Sequence, residues 1–216
     1  MSIENRKTPR KRPYHQKARA RRRDEIHRRI TLAAVYLHGS IGPAKTTVSD
    51  IAKRAGVRRA TVYNHFPTDL ELIDACSSHW FSENPPPNPA EWEAISDPAL
   101  RIRTALEAMY SYYDHAQDML EKVLRDTPQI PALEEILHRK WWPLIEQMIG
   151  VLAGDRTGAA SSVPSEMADT KLEIRASLRT VLDFFTWQTL VRSGLSNEQS
   201  ARLAATWIDA AGRAPK

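Results

Sequence analysis

Cysteine is almost missing from this chain of 216 residues, which contains only Cys76. A single cysteine excludes an internal disulfide and is typical of a reducing, cytoplasmic compartment. Long apolar runs are missing as well, because no stretch approaches the ~20 apolar residues that a membrane-spanning helix requires. We therefore expect a soluble, cytoplasmic protein that does not cross a membrane.

The sequence also lacks the residue patterns on which common enzymes depend. No nucleophile–base pair, phosphate-binding loop or metal cluster is visible. Ser40 lies in a glycine-containing turn, but it lacks the G-x-S-x-G spacing and the preceding strand that a nucleophile elbow requires. Glu135 and His138 form half of a metal-binding pattern with no second copy, so a surface ion pair is the better interpretation. We expect no catalytic residue, no metal and no cofactor.

Positive charge is concentrated at one end of the chain. Residues 1–65 contain 17 lysines and arginines against 4 acidic residues, whereas the remainder contains 14 against 22. The N-terminal third should therefore bind a polyanion. Residues 1–20 are basic and almost free of large apolar side chains, which predicts a disordered arm that orders on DNA or neutralises its phosphates. A passive, solvated tail is the alternative.

Residues 46–66 have the pattern of two short helices separated by one glycine. Thr47 and Asp50 are spaced as a capping box at the start of the first helix, and Gly56 is placed to end it. In the second helix, Val62 and Phe66 face the core and leave outward a dense set of hydrogen-bond donors that suits a DNA groove. The apolar stripe of the first helix consists of Val48, Ile51, Ala52 and Ala55.

This segment resembles the helix-turn-helix of the TetR family of bacterial transcription regulators at nearly every position of the motif. The resemblance implies an all-α protein in which a three-helix DNA-binding domain precedes a helical domain for ligand binding and dimerisation. It also implies that Thr47 meets a phosphate, that residues 58–61 approach base edges and that Tyr63 and His65 hold the backbone. The predicted DNA-binding residues are Thr47, Ser49, Arg58, Arg59, Ala60, Thr61, Tyr63, Asn64 and His65.

Proline, glycine and capping residues predict the division of the chain into domains. We expect a basic arm over 1–20, the helix-turn-helix domain over 21–67, a connecting helix over 68–83 and the second domain over 84–216. The glycines between His38 and Pro43 should end the first helix, and prolines within 84–89 should form a stiff connector. Near the C-terminus we predict one helix from about 169 to 192 and a last helix that Ser196 and Gln199 cap.

The apolar faces of the second domain predict two further sites. In the TetR family the last two helices pair with those of a second copy, which implies a homodimer here; an intramolecular core is the alternative. The predicted dimer residues are Leu178, Val181, Leu182, Phe185, Leu203, Ala204, Trp207 and Ile208. Aromatic and sulfur-bearing residues could instead pack in the core or line a pocket for a hydrophobic or aromatic effector. The predicted pocket residues are Met109, Tyr110, Tyr113, Trp141, Met148, Phe184 and Trp187.

Together these patterns favour a homodimeric, ligand-responsive transcription regulator, with a double-stranded operator and a small-molecule effector as partners. We expect repression and not activation of transcription, since a dimer bound to an operator can block polymerase without any other protein. One alternative is an enzyme with a DNA-binding appendix, which turnover of a candidate ligand would reveal. Another is a protein that compacts nucleic acid without sequence choice, which competition by random DNA would reveal.

Overall fold

The computed structural model describes residues 12–154 and 165–212, and within them the regular secondary structure is entirely helical. Two short turns, Pro43–Lys45 and Thr127–Gln129, are 3-10 helices. The α-helices are α1 (Arg12–Ile41), α2 (Val48–Ala55), α3 (Arg59–His65), α4 (Asp69–Glu83), α5 (Ala90–Glu93), α6 (Pro98–Asp126), α7 (Pro131–Leu152), α8 (Ser165–Val181), α9 (Phe184–Arg192) and α10 (Asn197–Ala211). The predicted all-α class is confirmed.

The helix-turn-helix formed by α2 and α3 depends on contacts that are local in the sequence. The Asp50 amide donates to Thr47 Oγ1 (3.1 Å), and the Thr47 amide donates to Asp50 Oδ2 (3.2 Å), so the predicted capping box is present. Gly56 ends α2 with φ at 64°, in the left-handed region that favours glycine. The Val57 amide then donates to the Ala52 carbonyl (2.9 Å), which fixes the direction in which the chain enters α3.

Helices α1 to α4 enclose a small apolar core, which we call the N-terminal core. It contains many alanines, and their short side chains allow neighbouring helix backbones to approach closely. Val62 and Phe66 anchor α3 in this core as predicted, so the opposite face of that short helix points outward. The buried members are Ile30, Ala33, Ala34, Ile51, Ala52, Ala55, Val62, Phe66, Leu72 and Cys76.

Helix α1 differs from the prediction at both ends. Residues 12–20, predicted as part of a disordered arm, lie within the helix, while residues 1–11 fall outside the described chain. Alanine, lysine and arginine are good helix formers, so this stretch can be helical without a core. At the other end α1 continues through Gly39 to Ile41. Gly39 packs against Met119 of α6, whose Cε would lie 3.3 Å from an added Cβ, so this glycine permits close helix packing.

A buried carboxylate joins the N-terminal helices to the rest of the protein. Asp126, at the end of α6, is 2% exposed and accepts hydrogen bonds from the Ala44 amide (3.0 Å) and from Arg125 Nε (2.8 Å). Gly42 has φ at 93°, and a Cβ there would lie 2.6 Å from Asp126 Oδ2. Burial opposes ionisation of Asp126, but Arg125 and the Ala44 amide outweigh it and hold its pKa below the usual value. The turn before α2 is therefore fixed to α6.

Helices α6 to α10 form a larger body whose core is rich in aromatic side chains. Trp187 is 1% exposed, and its Nε1 donates to Asn197 Oδ1 (2.9 Å). Its ring lies 5.8 Å from that of Tyr113 and 5.3 Å from that of Phe184 between centroids. Such aromatic contacts add to the stabilisation from burial.

The predicted helix over 169–192 is two helices in the structure. Helix α8 ends at Val181, and Asp183 caps α9 by accepting from the Phe185 amide (2.9 Å) and the Thr186 amide (3.0 Å). The break leaves backbone carbonyls to be satisfied, and two tyrosines of α6 do so. Tyr110 donates to the Val181 carbonyl (2.9 Å), while Tyr113 donates to the Leu182 carbonyl (2.5 Å).

Candidate functional site

The outward face of α3 presents most of the side chains predicted to bind DNA. Arg58, Arg59, Ala60, Tyr63 and Asn64 are exposed. In addition, Thr61 and His65 are partly buried, and Thr47 and Ser49 are exposed at the start of α2. The two helices therefore bring all nine predicted residues to one region of the N-terminal domain. Their contact with DNA stays a prediction.

Arg59 and Tyr63 are not independent of each other. Arg59 Nη2 donates to Tyr63 Oη (3.1 Å), and the guanidinium carbon lies 5.5 Å from the centre of the tyrosine ring. The two residues are one turn apart on α3, so their side chains cover the same patch of surface. A base contact from Arg59 would therefore have to break or share its bond with Tyr63.

Thr47 makes one hydrogen bond at the start of α2 in addition to the two of the predicted capping box. Its hydroxyl donates to Asp50 Oδ2 (2.6 Å), and this bond is the main reason why the pKa of Asp50 is lowered. The carboxylate thus occupies the helix N-terminus, where a phosphate would otherwise find backbone amides. Ser49, in the first turn of α2, is exposed on the same helix end and carries a second hydroxyl.

His65 packs at the edge of the N-terminal core. Its ring centroid lies 6.2 Å from that of His27 on α1, and His27 in turn lies 4.4 Å from Phe66. Burial lowers the pKa of His65, and the charges of His27 and Arg23 lower it further. In the free protein the imidazole is therefore neutral at pH 7 and can serve as a hydrogen-bond donor or acceptor.

Sequence analysis placed no arginine of α1 beside α3, but the structure brings two of them there. Arg22 and Arg29 line a concave notch of about 510 Å³ together with Arg58 and Thr61. Arg29 is fixed there because its Nη2 donates to the carbonyls of Ala55 and Gly56 at the end of α2. The spacing of Arg22 and Arg29 along one helix face was visible in the sequence, but their position next to α3 was not.

The structure places the residues of the predicted effector pocket in two different settings, and their contact with an effector stays a prediction. Met109, Tyr110, Tyr113, Met148 and Trp187 lie in the packed core of the body, where each is at most 1% exposed. The tyrosine hydroxyls are already bonded to the carbonyls at the break between α8 and α9. All five of these aromatic and methionine side chains therefore contribute to the packed core of the body.

Trp141 and Phe184, the other two predicted pocket residues, line a real opening. It is a groove of about 410 Å³ between α6, α7, α8 and α9, and the half-exposed Trp142 also lines it. Trp141 also lines a smaller apolar cavity of about 40 Å³, which α1 and α4 help to enclose. The Trp141 ring stacks on that of Phe81 of α4, at 6.1 Å between centroids and 15° between planes.

His38 of α1 also lines the small cavity, a position that no sequence pattern predicted. Burial lowers the pKa of His38 to about 4, and the nearby charge of Asp126 only partly opposes this effect. A neutral imidazole therefore lies at the junction between the N-terminal helices and the body.

The predicted dimer residues divide into two groups. Five of them cannot face a second protein, because they are at most 3% exposed within a single chain; they are Leu178, Val181, Leu182, Ala204 and Ile208. These five side chains pack within the chain, as the intramolecular alternative describes, and pairing with a second copy stays a prediction. Phe185, Leu203 and Trp207 are 38–40% exposed and remain available.

The described chain contains neither a membrane-crossing helix nor a metal cluster. Across residues 12–154 and 165–212, no helix is long and apolar enough to span a bilayer. In the same residues no group of three or more histidine, cysteine, aspartate or glutamate side chains could hold a metal ion.

Comparison with known proteins agrees with the helix-turn-helix geometry. Residues 30–76 match the family model described as bacterial regulatory proteins, tetR family. A segment of 57 residues is similar to the HTH-type transcriptional repressor Rv3405c of Mycobacterium tuberculosis, with 39% identity. That match covers 26% of this chain and 30% of the repressor, so it describes one domain and not the whole protein.

Solved structures extend the similarity of fold over most of the chain. One, described as a TetR-family transcriptional regulator from Mesorhizobium loti, has a TM-score of 0.59 at 16% identity and covers 88% of this chain and 96% of its own. A transcriptional regulator from Rhodococcus sp. Rha1 has a TM-score of 0.56 at 18% identity and covers 88% and 99%. At these identities the comparison shows the fold alone.

The molecule is thus a helical protein with an N-terminal helix-turn-helix and a separate helical body. Residues 30–76 match the tetR family model, and the fold of the chain resembles that of two solved transcription regulators.

Proposed function

We propose that this protein is a DNA-binding transcription regulator that acts as a repressor. The observation that carries the proposal is the exposed polar face of α3, which a capped α2 and a buried core hold in a fixed position. The excess of positive charge in residues 1–65 supports it, because it attracts the DNA backbone to the same end. The mycobacterial relative, which is named a transcriptional repressor, supports repression over activation.

Selection of duplexes from a random library tests this proposal. A sequence-specific regulator should enrich one motif and bind it on the order of 10³-fold more tightly than random duplex, or better. Arg59→Ala should lose ~1 to 3 kcal/mol mainly at one base pair. Arg103→Ala is the matched control, since this arginine is exposed on α6 and pairs with Glu107. Equal binding of selected and random DNA would instead support the compaction alternative.

The contact between Arg59 and Tyr63 refines that experiment. Each single alanine variant removes the same hydrogen bond, so the losses in DNA affinity should not add in the double variant. Tyr63→Phe keeps the ring but removes the hydroxyl, and it should free the Arg59 guanidinium without removing the ring surface. Strictly additive losses for the alanine variants would show that the two side chains act separately on DNA.

We also propose that the protein acts as a homodimer through the exposed apolar residues of α9 and α10. Leu203 and Trp207 are four residues apart on α10 and share a face, and Phe185 adds a third exposed apolar side chain. A seven-residue α3 reads few base pairs, and two copies about 34 Å apart would double the readout. Sedimentation should give a dimer that Leu203→Asp with Trp207→Asp dissociates, whereas a monomeric wild type would reject this interface.

For the effector, we propose a small aromatic compound that binds in the groove beside Trp141 and Trp142. The groove volume of about 410 Å³ lies within the usual range for small-molecule sites. Because Trp141 stacks on Phe81, a ligand that displaces the Trp141 ring would also act on α4, which follows α3 in the chain.

Thermodynamic linkage provides the test of the effector proposal. With 1-naphthol as a first probe, binding should quench tryptophan fluorescence and weaken DNA binding by ~5 to 150-fold, with a reciprocal loss of probe affinity on DNA. Trp142→Ala should weaken probe binding. A probe that binds the free and DNA-bound protein equally well would not be an effector.

A further inference from the structure

The N-terminal part of α1 is a helix without a core. Helix α1 begins at Arg12, and its side chains are described from residue 16 onward. Every side chain from residue 16 to residue 25 is exposed, Ile26 is half-buried, and Ile30 is the first buried residue of this described part. Residues 16–25, which we call the α1 extension, therefore project about 15 Å along the helix axis, at ~1.5 Å per residue.

The surface of the α1 extension is suited to a polyanion and not to an apolar partner. Among residues 16–25 there are five basic side chains and only two acidic ones. Glu25, one of the acids, is paired with Arg28 at 3.3 Å. The basic residues of this stretch are Lys17, Arg19, Arg21, Arg22 and Arg23.

One face of the α1 extension continues directly from the notch beside α3. Arg22, Ile26 and Arg29 of α1 line one side of the notch. Arg58 and Thr61, at the start of α3, line the other. At 100° per residue, Arg19 lies on this same face, one turn before Arg22. Arg21 and Arg28 point away from it by about 100° or more on the same geometry.

Two features make this notch more than a chance group of charges. Arg29 is held by the carbonyls at the end of α2, so one positive charge has a fixed place next to the start of α3. The Glu25 carboxylate, which also reaches the notch, is paired with Arg28 one turn further along α1. The positive potential at the notch is therefore left largely uncompensated.

We propose that the α1 extension is a second DNA-binding element, in which Arg19 and Arg22 contact backbone phosphates next to the base pairs that α3 reads. Arg22, Arg29 and Arg58 surround one phosphate in the notch, and Arg19 meets the next phosphate along the strand. This inference rests on the proposed function, since it requires that α3 faces DNA. It adds phosphate contacts and a longer footprint to each half-site, and both are independent of base sequence.

Salt dependence of binding to a random-sequence 40-base-pair duplex tests the inference on the full-length protein. Each phosphate contact that is lost should reduce the slope of log K against log salt by ~0.9 and weaken binding about tenfold at 0.1 M salt. The variant Arg19→Gln with Arg22→Gln should therefore reduce the slope by ~1.8. Glutamine is a good helix former and all four substituted positions are exposed, so circular dichroism should show an unchanged helix content.

The matched control is Lys17→Gln with Arg21→Gln, which removes the same charge from residues that lie about 100° or more from Arg22 around α1 and leaves the pair of Arg28 with Glu25 intact. The proposal expects the wild-type slope in this control. An unchanged slope in the Arg19 and Arg22 variant would overturn it, and so would an equal reduction in both variants, because that would indicate a diffuse charge effect. If the wild-type protein bound no duplex at all, the proposed function itself would fail as well.

Discussion

The two cores of this protein are built in different ways. The N-terminal core uses alanines and aliphatic residues from helices that follow one another closely in the chain. The body core depends on large aromatic side chains from α6, α7 and α9, which are far apart in sequence. Short side chains let helices approach closely, whereas bulky rings fill the wider spaces between long helices.

This difference bears on how the two parts work. A small, tightly packed domain holds α3 in one position, which suits the reading of base edges at fixed distances. The body is packed less completely beside Trp141, which lines both a groove and a smaller apolar cavity. The proposed effector would bind at this ring.

The largest effect should come from removing one ring of the body core. Trp187→Ala should lower the free energy of unfolding by ~3 to 5 kcal/mol, because it leaves a cavity and removes the partner of Asn197. Urea unfolding measures the change. Leu172→Ala is the control, since Leu172 is 67% exposed and should cost well under 1 kcal/mol. A loss as small as the control would mean that the body can collapse around the missing ring.

The next effect should appear at the junction of the two parts when the pH is lowered. Burial lowers the pKa of His38 from its ordinary 6.5 to about 4, so between these pH values the unfolded chain binds a proton that the folded chain does not. The contribution of His38 to the free energy of unfolding should therefore be fully present above pH 6.5. It should decline as the pH falls towards 4, by up to about 3 kcal/mol in all.

His38→Gln should remove this part of the pH dependence in urea unfolding between pH 7 and pH 4. The same substitution at the exposed His115 serves as the control and should leave the wild-type profile in place. Parallel profiles for wild type and His38→Gln would show that the junction does not titrate in this range.

The smallest effect compares one glycine from each part. Gly56→Ala should cost ~1 to 2 kcal/mol, because φ at 64° disfavours a side chain, and an added Cβ would lie 2.7 Å from Arg29 Nη2. Gly150→Ala should instead stabilise by up to ~1 kcal/mol, since this residue is within α7 and nothing lies within 4 Å of an added Cβ. Changes of the same sign in thermal unfolding would contradict the contrast.

The part of the fold that sequence patterns predicted well is the part held by local contacts. The capping box of Thr47 and Asp50 spans three residues, and Gly56 acts on its immediate neighbours. Periodicity also identified the apolar faces of the last helices. It could not show whether a face such as that of Leu178 packs within the chain or against a second copy, because both require the same pattern.

The features that the sequence did not reveal depend on distant partners. The break after Val181 is supported by Tyr110, whose hydroxyl reaches across 71 residues. The continuation of α1 through Gly39 depends on Met119. Arg22 was visible only as one of many arginines until the structure placed it beside Arg58. In each case the deciding contact is between elements whose relative position no local pattern encodes.

The hydrogen bond between Asp126 and the Ala44 amide limits how freely this protein can be recombined. It joins residues 82 positions apart, on opposite sides of the segment where the chain would be cut to exchange domains. Consider a chimera that keeps residues 1–83 and receives the body of another protein. In it the Ala44 amide would lose its acceptor, and the turn at Gly42 would lose the carboxylate that packs against it. A functional hybrid would therefore have to import Arg125 and Asp126 along with the first domain, so the unit of exchange in this protein is larger than the helix-turn-helix.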